Sequence, residues 1–308
     1  MSKTIRIGTR DSELALWQAH TVQQKLNDLG YKTDIIAVKS QGDLILDKPL
    51  YELGITGIFT KTLDVAMIKG EVDIAVHSMK DVPTALPQGI AQGAVLERAQ
   101  VYDLLLFKDD SDFAHRPATI ATGSLRRKAM WLNRHPNHTV TDLRGNVNTR
   151  LQKLQDNPWD GAIFAAAGLE RINLKPENHQ VLDWMTPAPA QGAMVVMAMA
   201  ENSFTMDAVS ELNDVETQVC THIERQFLKT LEGGCTAPIG AYARIVNDET
   251  IIFKGDLLLA DGSKKVSVEK QVPIEEWKKL GFYAAQEVLE NGGAAIMEVL
   301  RQQLNTKS

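Results

Sequence analysis

One of the chain's two cysteines, Cys235, lies in the segment LEGGCTAPIGAYA, after a Gly-Gly pair and before a proline. The glycines predict that a helix ends at Gly233, and the proline precedes a strand, so we expect the thiol in an exposed loop. A thiol in such a loop can serve as a nucleophile, a redox sensor or a point of attachment. Cys220 falls within a predicted amphipathic helix near Ile223, and we interpret it as a small core residue.

Cationic side chains follow several of the predicted strands. Any one of them is best explained as solvated surface, but their recurrence at equivalent strand ends predicts a cleft for a ligand with several acidic groups. The guanidinium fork suits carboxylate and phosphate groups. A helix start at Thr122, Gly123 and Ser124 adds free backbone N–H groups, which favour an anion. The cations of this set are Arg10, Lys80, Arg126, Arg127, Arg144, Arg150 and Arg171.

A single carboxylate, Asp81, follows Lys80 in VHSMKDVP, directly after a predicted buried strand. A turn or capping role ahead of Pro83 and an electrostatic role toward a cationic ligand fit this spacing equally well. His77 and His222 have no spacing typical of a catalytic triad. The cysteines match no zinc pattern, and no Walker, GxGxxG or HExxH sequence occurs, so we predict no metal site.

These residues lie among strands that alternate with helices. TIRIGT, KTDIIAVK and VDIAVHS are predicted strands, and helices ending at Gly30 and Gly70 separate them. A second set of the same kind covers roughly residues 100 to 190 and leads into the apolar strand of GAMVVMAMA. The alternation predicts βαβ units with parallel sheets, in two similar halves that leave a ligand cleft between them. The first helix has an expected apolar stripe of Leu14, Trp17, Val22, Leu26 and Leu29.

The last third of the chain has a different pattern. An amphipathic helix, DVETQVCTHIERQFLKTLEGG, precedes a predicted antiparallel meander with turns at Asn247-Asp248 and Asp261-Gly262. A final helical stretch, about 274 to 304, is interrupted at Gly292-Gly293. We therefore predict a small α+β domain with Cys235 in its opening loop. The expected inward face of this amphipathic helix comprises Val215, Val219, Ile223 and Phe227.

Length and charge limit the classes of protein to consider. A chain of 308 residues with 44% hydrophobic residues predicts two or three globular domains. The net charge of -6 argues against a nucleic-acid-binding protein, which usually carries a basic stripe. No apolar run approaches the roughly 20 residues that span a bilayer. The first residues contain no secretion signal, so we expect a cytoplasmic protein.

Seven segments, in this order and spread over nearly the whole chain, together resemble the porphobilinogen deaminase family: TRDSELALWQA, DIAVHSMKDVPT, TGSLRR, LRGNVNTRLQKL, AAAGLERI, PAPAQGA and LEGGCTAPIGAYA. The resemblance implies an α/β fold in which two periplasmic-binding-protein-like α/β domains flank a cleft, followed by a small C-terminal α+β domain with an antiparallel sheet. The expected domains are residues 1–96 with 193–212, residues 97–192, and residues 213–308.

The same resemblance implies a transferase of tetrapyrrole and haem biosynthesis. Such an enzyme joins four porphobilinogen molecules head-to-tail, with loss of ammonia, on a dipyrromethane primer that a thioether bond holds on Cys235. Hydrolysis then releases hydroxymethylbilane and leaves the primer in place. Each pyrrole carries an acetate and a propionate, which accounts for an arginine-lined cleft. A monomer is implied, and neither a nucleic acid nor a membrane is an expected partner.

Residue by residue, the resemblance makes Asp81 the catalytic residue, which stabilises the cationic azafulvene-like intermediate and pyrrole N–H groups. Cofactor contacts are implied for Cys235, Ser78, Lys80, Asp81, Thr122, Ser124, Arg126, Arg127, Arg144 and Gly168. Substrate and chain contacts are implied for Arg10, Ser12, Arg150, Arg171 and Gln191.

The chain departs from the family pattern in two places. Glu52 and Thr56 stand where many members have lysines, and Lys61 lies nearby within a predicted helix. Gly123 replaces a serine in TGSLRR, which removes one hydroxyl donor. A non-enzymatic two-lobed binding protein for a small carboxylate anion is the main alternative. The effector domain of a transcription regulator ranks lower, because no helix-turn-helix segment precedes TIRIGT.

Overall fold

The computed structural model describes residues 3–38, 60–108, 116–231 and 237–305. Its strands are β1 Thr4–Arg10, β2 Lys32–Val38, β3 Ile74–Ser78, β4 Ile90–Val95, β5 Asp103–Phe107, β6 Thr119–Ala121, β7 Thr139–Thr141, β8 Gly161–Ala165, β9 His179–Leu182, β10 Met194–Met199, β11 Ile239–Val246, β12 Thr250–Leu258 and β13 Lys265–Pro273. Its α-helices are α1 Glu13–Asp28, α2 Lys61–Ile68, α3 Leu125–Arg134, α4 Val147–Asp156, α5 Ala166–Glu170, α6 Ser203–Ser210, α7 Val215–Thr230, α8 Trp277–Val288 and α9 Ala294–Asn305. Cys235, Glu52 and Thr56 lie outside the described residues.

Two five-stranded sheets have the same arrangement. The first has the strand order β2-β1-β3-β10-β4 and the second the order β7-β6-β8-β5-β9. In each, the first three strands are parallel and are joined through helices, as the βα alternation predicts. Glycines with positive φ follow α1 and α2, namely Gly30 at 89° and Gly70 at 68°, because only glycine adopts this backbone without strain. The predicted α/β fold class is confirmed.

The predicted parallel pairing holds for three strands of each sheet and not for the other two. Strand β10 runs antiparallel to β3 and β4, and β5 runs antiparallel to β8 and β9. Strands β10 and β5 are each the first strand after the chain has passed from one sheet to the other. Each is inserted between two strands of the sheet that it enters. These strands are buried on both faces and read as continuous apolar runs, which carry no signal of direction.

The third sheet is an antiparallel meander, β11-β12-β13, covered by α7 and α8. Asn247 and Asp248 in its first turn both have positive φ, 53° and 57°, as a tight hairpin requires. Helices α7 and α8 cross closely at Gly281, where an added Cβ would lie 2.1 Å from the carbonyl oxygen of Ile223. The predicted α+β unit with an antiparallel sheet is confirmed, including the interruption between α8 and α9 at Gly292.

Burial contradicts three of the predicted core positions and supports the others that are buried, namely Val22, Leu26, Val219, Ile223, Phe227 and Cys220. Val215, Trp17 and Leu29 are exposed, at 67%, 38% and 45%, because each lies near an end or on the outer edge of its helix's apolar stripe. Cys220 is buried among the residues that pack α7 against the third sheet, and burial raises the pKa of its thiol to about 12. It is therefore an inert core residue, as the sequence predicts.

No helix in the four described segments is long and apolar enough to cross a bilayer. The same residues contain no group of three or more His, Cys, Asp or Glu side chains that could hold a metal ion.

Candidate active site

The predicted site residues lie at the carboxyl ends of parallel strands in both sheets. Arg10 ends β1, and the turn with Lys80 and Asp81 follows β3 directly. Thr122 follows β6, and Arg144 comes shortly after β7. Loops that leave parallel strands at one edge converge there, so each sheet presents one edge rich in polar side chains.

The two edges face one another. The side chain of Asn148 in α4 donates a hydrogen bond of 2.7 Å to Glu13 in α1, which joins helices of different sheets. Arg171, just after α5, donates from Nη2 to the carbonyl oxygen of Gly192 at 2.7 Å, and its guanidinium lies 5.6 Å from the ring centroid of Trp17. Burial lowers the pKa of Arg171 to about 10. The expectation that both halves contribute to one region is therefore met in the structure.

A buried carboxylate that the sequence analysis missed, Asp103, organises the second sheet's part of this region. Its Oδ2 is 2.8 Å from Nη2 of Arg126, and its Oδ1 accepts from Nε and Nη2 of Arg127 at 3.0 and 2.8 Å. Burial alone would raise the pKa of Asp103, but the charges of Arg126 and Arg127 outweigh it and lower the pKa to about 2. Both arginines are thus held by an internal ion pair. The available signal was an aspartate at the start of the apolar run DLLLF.

This ion-pair network reaches the other sheet through Gln191. The side-chain amide of Gln191 donates to Asp103 Oδ1 at 2.9 Å, and its Oε1 accepts from Lys80 Nζ at 3.3 Å. Burial and the charge of Arg127 lower the pKa of Lys80 to about 8, against the opposing effect of Asp81. Lys80, Gln191 and the two arginines therefore lie in one connected polar group.

Arg150 in α4 shows that Asp81 and the remaining cations also converge. Burial and the charge of Arg127 lower the pKa of Arg150 to about 10, the charge of Asp81 opposes this, and Arg144 and Arg10 lower it further. The Nε of Arg150 is buried and has no hydrogen-bond partner among the described residues. Cations outnumber carboxylates here, so the region suits a ligand that carries several negative charges.

The small polar residues of the site have local partners. Ser124 caps α3 by accepting from the backbone N–H of Arg127 at 3.4 Å, and Thr122 Oγ1 accepts from the backbone N–H of Ser124 at 3.3 Å. Ser78 Oγ accepts from the Gln18 side chain at 2.9 Å. Ser12 occupies the N-cap position of α1 without a side-chain capping bond. Gln18 is a neighbour of Ser78 that sequence reasoning missed.

Two glycines of the site differ in their steric surroundings. A Cβ added at Gly123 would lie 2.5 Å from the carbonyl oxygen of Leu143, so a serine would require the backbone to shift. At Gly168 the nearest atom to an added Cβ is in Leu14 at 3.7 Å, which is an ordinary contact. The departure at Gly123 therefore accompanies a close approach of two loops.

Fold and site together define a two-lobed α/β protein with a cationic region between its lobes and a third, smaller unit. Two family models cover most of the chain: "Porphobilinogen deaminase, dipyromethane cofactor binding domain" over residues 5–207 and "Porphobilinogen deaminase, C-terminal domain" over residues 218–290. The chain belongs to the porphobilinogen deaminase family.

Curated relatives of the same name match nearly full length. The porphobilinogen deaminase of a Nitratiruptor species is 38% identical over 298 residues, which is 96% of each chain. That of Syntrophotalea carbinolica is 37% identical over 305 residues, 97% of this chain and 96% of the relative. Among solved structures, an ancestral cationic amino acid solute-binding protein aligns with a TM-score of 0.44 at 13% identity, covering 68% of this chain and 87% of its own.

The residues present fit the dipyrromethane cofactor of this family. A dipyrromethane carries carboxylate arms, and the region contains the guanidinium groups of Arg10, Arg144 and Arg150 together with those of Arg126 and Arg127. The buried Nε of Arg150 supplies a donor suited to such an anion. The chain is accordingly a transferase of the hydroxymethylbilane synthase type with a dipyrromethane cofactor.

Proposed function

We propose that this chain carries out the family's polymerisation of porphobilinogen at the region where Asp81 meets the arginines of both sheets. The main observation is the chain of contacts from Lys80, next to Asp81 in the first lobe, through Gln191 to Asp103, which pairs with Arg126 and Arg127 in the second lobe. With Asp103 occupied by Arg126 and Arg127, the carboxylate of Asp81 among these cations is suited to a substrate that bears carboxylates and passes through a cation. A small-anion binding protein would need neither the third unit nor this carboxylate.

The cofactor is attached, in this proposal, through a thioether at Cys235. When bound, the dipyrromethane supplies the pyrrole carbon to which the first porphobilinogen is joined. Ser78, Lys80, Thr122, Ser124, Arg126, Arg127, Arg144 and Gly168 hold it, with Asp81. The Asp103 ion pairs keep Arg126 and Arg127 in fixed orientations, so their remaining N–H groups are preorganised for carboxylates.

The proposed role of Asp81 is electrostatic. Ammonia loss leaves a delocalised cation on the pyrrole of porphobilinogen, and a fixed carboxylate among largely buried side chains stabilises that cation. Arg10, Ser12, Arg150, Arg171 and Gln191 hold carboxylates of substrate and growing chain. Because these groups come from both lobes, the elongating product is held between them.

We also propose the predicted domain division, residues 1–96 with 193–212, 97–192 and 213–308, for a cytoplasmic monomer. The first sheet takes β10 from the second stretch of domain 1, which supports the discontinuous boundary. The net charge of -6 supports a partner list without nucleic acid.

The testing experiment combines intact mass with turnover in Asp81→Asn. The denatured wild-type protein should be heavier than its sequence by one dipyrromethane, with the adduct on the Cys235 peptide and not on Cys220. In cofactor-loaded Asp81→Asn, formation of hydroxymethylbilane, followed as uroporphyrin, should fall on the order of 100- to 1000-fold because the stabilising charge is gone. Asp81→Glu keeps the charge and should retain slow turnover. Near wild-type turnover in loaded Asp81→Asn would make Asp81 a structural turn residue.

A further inference from the structure

The turn that carries Lys80 and Asp81 is short, and its apolar residues Met79 and Val82 are buried in the core. It is a single 3-10 turn, Met79–Asp81, between β3 and Pro83. On one side the backbone N–H of Met79 donates to the carbonyl oxygen of Ala193 at 3.0 Å, which ties the turn to the start of β10. That bond fixes the entrance to the turn and leaves the carbonyl groups on its far side to be held by another element.

Arg225 of α7 holds that far side. Its Nη1 donates to the carbonyl oxygens of Val82 at 2.8 Å and Met79 at 3.3 Å, and its Nη2 donates to that of Pro83 at 2.7 Å. One guanidinium therefore binds three backbone acceptors that flank Asp81 on both sides. Its rigid fork fixes the orientation of the peptide planes as well as their distance from α7.

Arg225 and the turn that it binds belong to different units of the molecule. Arg225 belongs to the helix of the third unit that ends at Thr230, five positions before Cys235 in the sequence. The turn belongs to the first sheet. The contact thus sets the position of Asp81 relative to the helix that precedes the cofactor-bearing cysteine.

We infer that Arg225 is a positioning residue for Asp81, which holds the 79–83 turn at a fixed place relative to α7. The inference rests on the proposed role of Asp81. Arg225 does not touch the reacting atoms in this scheme; it acts by limiting the places where the carboxylate can lie. Small misplacements of a catalytic group lower the rate strongly, and a shift of about 1 Å can cost about 100-fold.

Gln226 offers a matched control on the same helix. Its Nε2 donates to the carbonyl oxygen of Lys278 at 3.0 Å, and its Oε1 accepts from the backbone N–H of Phe282 at 3.0 Å. Both contacts join α7 to α8 inside the third unit. Gln226→Ala therefore removes backbone-directed hydrogen bonds from α7 and leaves the turn untouched.

The experiment compares Arg225→Lys, Arg225→Met and Gln226→Ala in cofactor-loaded enzyme, with loading checked by intact mass. We expect kcat to fall about 10- to 100-fold in both Arg225 variants with little change in KM, since the carboxylate is displaced and the substrate-holding arginines are not. Gln226→Ala should lower Tm and leave kcat unchanged. Wild-type kcat in both Arg225 variants, or an equal loss in Gln226→Ala, would overturn the inference.

A double-variant cycle tests whether Arg225 acts through Asp81. In the Asp81→Asn background, adding Arg225→Met should lower kcat no further, because there is no longer a charge to position. Multiplicative losses would overturn the inference and leave the role of Asp81 standing. Full turnover in Asp81→Asn alone would remove the proposed role of Asp81 and the inference with it.

Hydrogen exchange of the turn supplies a readout that does not depend on activity. The amides of Met79 and Val82 should exchange faster in Arg225→Lys than in wild type or in Gln226→Ala, since the lysine cannot reach three carbonyl groups at once. This measurement also serves if Arg225→Met does not fold. Unchanged exchange in Arg225→Lys would contradict the inference.

Discussion

Individual arginines of the site differ in what holds them. Arg127 is buried against Asp103, whereas Arg150 has a pKa lowered by burial and by neighbouring cations, and its Nε has no partner in the described chain. We therefore expect the guanidinium of Arg127 to raise the free energy of unfolding and that of Arg150 to lower it. From sequence these two residues are equivalent, because spacing reports where a cation lies along the chain and not which buried carboxylate it meets.

This difference predicts opposite effects of the same substitution. Arg127→Leu leaves Asp103 with one cation fewer, and breaking a buried pair costs about 3–5 kcal/mol of the free energy of unfolding. Arg150→Leu removes a desolvated cation from like charges, so the free energy of unfolding should stay equal or rise while chain elongation fails. Urea denaturation and native mass spectra of stalled intermediates would measure the two effects. An equal loss of stability in both variants would contradict this distinction.

Lys80 should make the free energy of unfolding depend on pH. Its pKa falls from 10.5 to about 8 on folding, because burial and the charge of Arg127 disfavour the charged form. Between these two values the unfolded chain binds more protons than the folded one, so the contribution of Lys80 to the free energy of unfolding increases as pH rises from about 8 to about 10.5.

The Lys80→Met variant should lack that contribution. Urea denaturation at several pH values is the measurement, and the quantity is the difference in free energy of unfolding between wild type and Lys80→Met. The other ionisable groups are present in both proteins, so this difference reports the titration of Lys80 and should shift in favour of the wild type as pH rises through the window. A difference that does not change with pH would show that Lys80 keeps its ordinary pKa.

At the scale of elements, the sequence predicted what local patterns encode. The alternation of strands and helices identified β1, β2, β3, β6, β7 and β8, and turn residues such as Asn247 identified the meander. Strands β4, β5 and β9 escaped notice, since their pairing partners are distant in the chain and their own residues show no period. Val215 shows the opposite error. Helical spacing predicted a core position for it, but it is the first residue of α7 and is exposed.

The residues of the candidate site also fall into those that local sequence patterns indicate and those that they do not. Motif residues such as Asp81 and Arg150 could be proposed from sequence because they lie in recognisable segments. Asp103, Gln18 and Arg225 were missed, since each acts through contacts made across sheets or units. Their roles depend on tertiary neighbours that no single-chain pattern specifies.

At the scale of the whole molecule, one buried ion pair joins the third unit to the two chain segments that cross between the first and second sheets. Glu224 of α7 is fully buried and accepts from Arg98 at 2.7 and 2.9 Å, and it also accepts from the backbone N–H groups of Ala190 and Ala243. Arg98 itself donates to the carbonyl oxygen of Gln191 at 2.9 Å. The two chain segments that cross between the first and second sheets thus meet the third unit at one point.

Breaking this pair should weaken the attachment of the third unit to the two crossing segments. Glu224→Gln leaves the Arg98 guanidinium buried without its counter-charge, at a cost of about 3–5 kcal/mol in the free energy of unfolding. Adding Arg98→Met removes the stranded charge and should recover part of the loss. Thermal and urea denaturation of the single and double variants give the comparison; a double variant less stable than Glu224→Gln alone would speak against a paired charge as the origin of the effect.

The inserted strands also bear on how the molecule comes to be folded as it leaves the ribosome. Strand β10 lies between β3 and β4, and Ser78 pairs with Met194, far along the chain. Until Met199 has been synthesised, β3 and β4 cannot be joined in one sheet, and the facing edges of both remain open for pairing with other chains. The high contact order of this arrangement slows folding, so the N-terminal lobe depends on the completion of its neighbour and does not finish first.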